Sequence, residues 1–394
     1  MSRQLLGRHY ATGKTVELEI DGRSIARIST VSGRQAEQAR LVWLVPTLVD
    51  IQVNGFGGWD LNADEISPRD VTCVTKALWS AGVAHYCPTI TTGPLARMLR
   101  SLEAVALACH EDAATSRAVL GIHMEGPYIS PEDGPRGAHA LQYVRPPDWE
   151  EFCKMQDAAD GRIRMVTLAP ELPGAIEFIE KLTSEGIVVG LGHLAADSKQ
   201  IAAAVEAGAR ISTHLGNGAH AVLPRHPNYL WDQLACDGLW ASIIPDGHHL
   251  PPAVIKTFLR AKGIGRTILV SDAVFAAGLP PGEYTFQGQK VDLTPEGCVR
   301  LSGTPFLAGS ALRLVDGVSN VISFTGVCLQ DAIRMAAINP RRLLGDVNAD
   351  EHFIVGAPAD LLVLREDPST SRLSLDMTIV DGELVYERAS GDHA

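Results

Sequence analysis

The sequence predicts an α/β chain, a (β/α)8 barrel of the TIM type beside a small β-sandwich assembled from its two ends. Three observations carry this expectation. Eight short β-rich runs recur from about residue 45, amphipathic helical patterns separate them, and both ends of the chain alternate apolar with polar side chains instead. The runs lie near residues 45–54, 83–87, 119–125, 163–168, 187–192, 210–214, 240–245 and 267–272, and eight is the number that closes such a barrel. Helical patterns fall between them, at residues 68–80, 172–185 and 197–207 among others. The last is the best marked, with Asp197 or Ser198 available as its cap and Gly208 as its terminator.

The ends of the chain follow a different rule. Residues 15–30 alternate around Asp21-Gly22, a hairpin signal, and residues 359–387 repeat the theme. Neither end has enough residues for its own core, so the two are expected to pair into one small domain, residues 1–45 with 350–394. The barrel then covers residues 46–349, with a β insertion near 282–303.

The most informative segment is Gly121-Ile-His-Met-Glu125-Gly-Pro127. It reads as a short apolar strand that runs into a carboxylate and stops at turn residues. Alternation along a strand points His123 and Glu125 the same way. His193, His214 and Asp272 close three further apolar runs in the same manner. Taken singly, each has an ordinary explanation as a hydrogen-bonded core histidine, a salt-bridge partner or a helix cap. Four at matching positions point to a metal-dependent hydrolase, because active sites of such barrels sit at the C-terminal ends of the strands. Two imidazoles and a carboxylate suit Zn2+ and leave room for a water of lowered pKa. Asp272 is then the candidate acid/base, and His123, one position inside its strand, is read as supporting the site rather than binding the ion.

Composition narrows the class further. The 394 residues are 46% hydrophobic, enough for a large core, and the formal net charge of -12 argues against nucleic acid or an anionic membrane as partner. No apolar run approaches the roughly 18 residues of a membrane span, and the seven cysteines include no Cys-x-x-Cys. A cytoplasmic location is expected. Gly13-Lys14-Thr15 lacks the earlier glycine of a phosphate loop, since residue 8 is Arg8. Gly55, Gly57 and Gly58 are read as the turn after the first barrel strand.

In order along the chain, Pro46-Thr-Leu-Val-Asp-Ile-Gln-Val-Asn-Gly55, the Glu125 segment, Gly192-His193, Thr213-His-Leu-Gly-Asn217, Asp246-Gly-His-His249, Ser271-Asp272-Ala273, Leu307-Ala-Gly-Ser310, Asn339-Pro-Arg-Arg-Leu-Leu-Gly345 and Gly356-Ala-Pro-Ala-Asp-Leu361 resemble the N-acetylglucosamine-6-phosphate deacetylases of the amidohydrolase superfamily. The resemblance implies a deformed barrel and hydrolytic removal of acetate from a phosphorylated amino sugar by metal-activated water. It makes Glu125, His193 and His214 the metal ligands and Asp272 the general base and acid. His139 is implied near the scissile amide, with catalytic and substrate-binding roles. Gln52, Asn54, Asn217, Gly218, Arg225 and His249 are implied as further substrate contacts, the last two at the phosphate. Gln52 and Asn54 replace the His-x-His pair of many amidohydrolases, so one divalent ion per chain, Zn2+, is expected. A homodimer or larger homo-oligomer is implied as well. Residues 216–231, including His220, His226 and Trp231, depart from the family's pattern. A related amidohydrolase acting on another N-acyl or cyclic amide is the alternative, and a scaffold without catalysis the third reading.

Overall fold

The computed structural model describes residues 2–286, 289–304 and 307–389. Each of the eight expected runs contains a strand: β1 (Leu48–Val53), β2 (Val83–Thr91), β3 (Ile122–Glu125), β4 (Ile163–Leu168), β5 (Val188–Leu191), β6 (Ile211–Ser212), β7 (Trp240–Ile243) and β8 (Thr267–Leu269). They hydrogen-bond in parallel and in chain order as one sheet. Most of their residues are buried, as strands covered on both faces require. The helices between them begin where the sequence places their caps. Ser67 and Asp70 cap the helix Pro68–Trp79 reciprocally. Of the two candidates at the helix Ser198–Glu206, Asp197 is the cap, accepting hydrogen bonds from the backbone N–H groups of Lys199 and Gln200.

The barrel is nearly closed, and its seam lies between β1 and β8. One parallel bridge, Val53 to Ala273, spans it, and the Ala273 carbonyl accepts from Asn54 N (2.8 Å) and Gly55 N (3.1 Å). One turn deeper a side chain takes over from the backbone. The carboxylate of Asp50, fully buried, accepts from Ser271 N at 3.2 Å and from Gln52 N at 3.2 Å. Burial pushes its pKa up to about 7, while the hydrogen bonds from Ser271 and Gln52 pull the other way. Asp50 thus staples the last strand to the first just before the chain turns at Asp272.

The expected β insertion is a four-stranded antiparallel sheet, Gly282–Phe286, Gln289–Leu293, Cys298–Leu301 and Leu307–Ser310. It runs one strand further than the sequence suggests, and that strand returns to the barrel through a bridge from Ser310 to Ala273. Residues 287 and 288 of the insertion lie outside the described residues. The chain ends meet as expected, in a seven-stranded, mostly antiparallel sheet. Val42–Pro46 pairs with Arg3–His9 on one side and with Leu361–Glu366 on the other. The hairpin turn at Asp381-Gly382 has φ of 56° and 79°, as a two-residue turn between twisted strands requires. Ser24 bridges to Pro358, and Leu18, Ile25, Leu44, Leu361 and Ile379 share one apolar core. The two ends therefore bury each other. No helix among the described residues is long and apolar enough to cross a membrane.

The seam makes a measurable claim. Asp50→Ala leaves two buried N–H groups without acceptors, at about 1–3 kcal/mol each, so the unfolding free energy should fall by about 2–6 kcal/mol in a denaturant titration. Asp50→Asn keeps an acceptor oxygen and should lose less. An alanine variant as stable as the parent would remove Asp50 from this role.

Candidate metal centre and its surroundings

Glu125 is the last residue of β3, and the Gly126-Pro127 turn follows at once. His193, His214 and Asp272 each lie two or three residues beyond the ends of β5, β6 and β8. Glu125, His193 and His214 are buried, and Asp272 is partly buried. The three that follow strands share a backbone property that the sequence does not advertise. Their φ angles are 53°, 30° and 50°, in the left-handed region that non-glycine residues seldom occupy. Such a conformation costs about 1–3 kcal/mol per residue and clusters at functional sites. Here it bends the chain directly after each strand at the residue whose side chain enters the site.

The donor atoms converge. Glu125 Oε1 lies 2.8 Å from His214 Nε2 and 3.3 Å from His193 Nε2, and the two Nε2 atoms are 3.0 Å apart. His193 Nδ1 sits 2.8 Å from the Pro135 carbonyl, which can only accept. The hydrogen of the neutral ring is therefore on Nδ1, and the Nε2 lone pair faces the cluster. Bonds of about 2.0–2.1 Å to a tetrahedral Zn2+ place their donors about 3.3 Å apart, close to the separations found. The three groups fit a divalent cation and could hold one.

Electrostatics follow from this crowding. Burial opposes ionisation of Glu125, but with protons on the facing imidazoles of His193 and His214 their hydrogen bonds and charge outweigh it and hold the carboxyl well below its ordinary range. Burial likewise opposes charge on His214, and Glu125 more than offsets that, so its pKa is raised. Asp272 is pushed up to about 6, first by burial and then by the charge of Glu125. His214, His249 and the Asn54 hydrogen bond act in the opposite sense.

Gln52 and Asn54 occupy this site in a way the sequence reading does not foresee. Gln52 Nε2 donates to Glu125 Oε1 (2.8 Å) and Asn54 Nδ2 donates to Asp272 Oδ1 (2.7 Å). Each amide holds one of the two carboxylates. Asn54 Oδ1 is buried and has no partner among the described residues. His139 packs edge-on to His193 with ring centroids 4.4 Å apart, and its Nδ1 meets Thr92 Oγ1 at 2.8 Å. Its pKa is lowered, by burial first and by His193 second. His249 is fixed by Asp246, Nδ1 to Oδ2 at 2.6 Å, close enough to Asp272 for its charge to favour the ionised carboxylate.

Asn217 and Gly218 serve the turn after β6. Asn217 N and Nδ2 both donate to the His214 carbonyl, and a Cβ on Gly218 would stand 2.6 Å from His193 Nδ1. Arg225 is exposed on its loop and does not join the buried cluster. In the same divergent loop, His220 accepts at Nδ1 from Tyr229 and donates from Nε2 to Glu132 (3.0 Å each), which ties this loop to the one carrying His139. Thr92 and Pro135 are not singled out by the sequence, and Asp50 and Asp246 stand within quoted motifs with no role assigned to them. Only Asp50 and Asp246 had a sequence signal, a charged residue inside an otherwise apolar or turn segment.

No family model matches this chain. It is similar to the N-acetylglucosamine-6-phosphate deacetylase of Vibrio furnissii, with 32% identity over 391 residues, 98% of this chain and 94% of that protein. It is also similar to the N-acetylgalactosamine-6-phosphate deacetylase of Escherichia coli O157:H7, with 34% identity over 302 residues, 77% of this chain and 78% of that protein. Among solved structures it is similar to the N-acetyl-D-glucosamine-6-phosphate deacetylase of Mycobacterium smegmatis, with a TM-score of 0.84 and 28% identity over 97% of this chain and 100% of the other.

Proposed function

Because the chain belongs to the N-acetylglucosamine-6-phosphate deacetylase family, we propose that it hydrolyses the acetamide of N-acetylglucosamine-6-phosphate to acetate and glucosamine-6-phosphate. The observation that carries this reading is the convergence of Glu125 Oε1, His193 Nε2 and His214 Nε2 in a buried cluster, with Asp272 beside it. One Zn2+ ion held by these three would supply Lewis acidity toward the amide carbonyl and toward water. Asp272 takes a proton from the attacking water and returns it to the nitrogen as the C–N bond breaks. Asn54 orients Asp272 for both transfers, and Gln52 orients Glu125. His139, on the loop packed against His193, is the group placed to meet the substrate amide. The sugar phosphate needs local positive charge in a chain of formal net charge -12, and we assign that contact to His249 and Arg225. The comparisons do not favour another N-acyl or cyclic amide as substrate.

Acetate release from a panel of hexosamines tests the assignment. N-acetylglucosamine-6-phosphate should be hydrolysed roughly ten- to a hundredfold better than N-acetylglucosamine, since a charge-assisted hydrogen bond contributes about 1.5–3 kcal/mol. Equal rates on both sugars would remove the phosphate from the specificity. Faster turnover of N-acetylgalactosamine-6-phosphate would reassign the epimer.

Elemental analysis of the purified protein should find one zinc per chain, and Glu125→Gln should lose most of it. Two tightly held ions, or full retention in the variant, would contradict the three-ligand site.

The hydrogen bond from Asn54 favours the ionised form of Asp272, so its loss raises the carboxyl pKa. The acidic limb of kcat/KM should therefore move to higher pH in Asn54→Ala, while Asp272→Asn should lose about 10²–10⁴ in rate with its zinc retained. An unshifted limb would show that Asn54 does not tune the base.

A further inference from the structure

We propose that His123, Thr167 and Thr213 form a hydrogen-bonded layer beneath the metal centre that sets the separation of its three ligands, which makes them positioning residues for metal binding and turnover. The inference rests on the metal-centre reading above. His123 lies two residues before Glu125 on the same face of β3. Its Nδ1 is 3.0 Å from the Ile51 carbonyl and its Nε2 is 2.7 Å from Thr167 Oγ1, which in turn is 2.7 Å from Thr213 Oγ1. Ile51 precedes Gln52, Thr167 is the register partner of Glu125 across β3 and β4, and Thr213 precedes His214. The layer therefore touches the strands that deliver Gln52, Glu125 and His214.

The hydrogen positions in this layer have one consistent order. A carbonyl only accepts, so His123 carries its hydrogen on Nδ1 and donates it to Ile51. Nε2 then accepts from the Thr167 hydroxyl, whose oxygen accepts from Thr213. All three side chains belong to residues no more than 2% exposed, so a missing link cannot be replaced by bulk water and leaves an unpaired polar group.

A second, independent feature protects the layer. The contact between Thr167 on β4 and Thr213 beyond β6 must pass over β5, which lies between them. The residues of that stretch are Gly190 and Gly192. A Cβ on Gly190 would stand 2.6 Å from Thr213 Oγ1 and 2.9 Å from Thr167 Oγ1, and one on Gly192 would stand 2.8 Å from Thr167 Cγ2 and 2.9 Å from Thr213 Cβ. Neither glycine has the positive φ that would otherwise explain it. The space they leave is filled by the threonine pair. Gly192 is also the residue before His193, so the strand of the third ligand is shaped to admit the layer.

Zinc affinity of the metal-free protein, measured by competition with a chromogenic chelator, tests the proposal alongside kcat, KM and apoprotein thermal melting. Thr167→Val keeps the shape and removes the donor to His123 Nε2. Its zinc dissociation constant should rise roughly 10–100-fold, the usual consequence of losing a supporting contact around a metal ligand. Turnover should fall with KM near the parent value, and Thr167→Ser should restore both. Thr213→Val carries the same expectation should Thr167→Val not fold. If Thr167→Val binds zinc and turns over like the parent, with only a lower apoprotein melting temperature, the layer is packing alone and the proposal is overturned. A parent protein that binds no divalent ion would instead overturn the metal-centre reading, and this inference with it.

Discussion

Lone pairs from Glu125, His193 and His214 meet within 3.3 Å of one another in a buried pocket. Such a cluster repels itself unless positive charge lies among the donors. Much of the surrounding structure can be understood as support for that unfavourable convergence. Strand ends bring the residues to one rim of the barrel, and left-handed backbone at His193 and His214 turns their rings inward. The Pro135 carbonyl selects the tautomer of His193, and Gln52 takes up lone-pair capacity on Glu125. Each is a modest local interaction, and together they make a geometry that a relaxed chain would avoid.

Backbone pattern made the barrel readable from sequence. The eight strands are short apolar runs separated by capped helices, and both signals are local, so each run could be recognised without knowledge of its neighbours. Glu125, His193, His214 and Asp272 were recognisable for a related reason, since polar residues at the ends of apolar runs conflict with packing and call for another explanation. The fourth strand of the insertion is less visible, because Leu307–Ser310 is short and acquires strand character by pairing with Cys298–Leu301.

What escaped the sequence is long-range or geometric. Asp50 reads as an anomaly in a buried strand until Ser271, distant in the chain, is seen to donate to it. The resemblance implies Gln52 and Asn54 as substrate contacts, and nothing in the sequence shows that their amides also face Glu125 and Asp272. The φ angles at His193, His214 and Asp272 have no sequence mark, as none of the three is glycine. The part that Asn217 and Gly218, implied by the resemblance as substrate contacts, take in the turn around His214 and His193 is likewise visible only in the structure.

The seven-stranded sheet formed by the chain ends has a consequence for biosynthesis. Val42–Pro46 has Leu361–Glu366 as one of its two neighbours, a strand made only after the whole barrel has been translated. At roughly 5–20 residues per second, the ribosome needs on the order of tens of seconds to supply it. During that interval the nascent N-terminal strands present an open edge and an uncovered apolar face. The pairing that closes this edge of Val42–Pro46 can form only once the barrel segment between the two strands has been made.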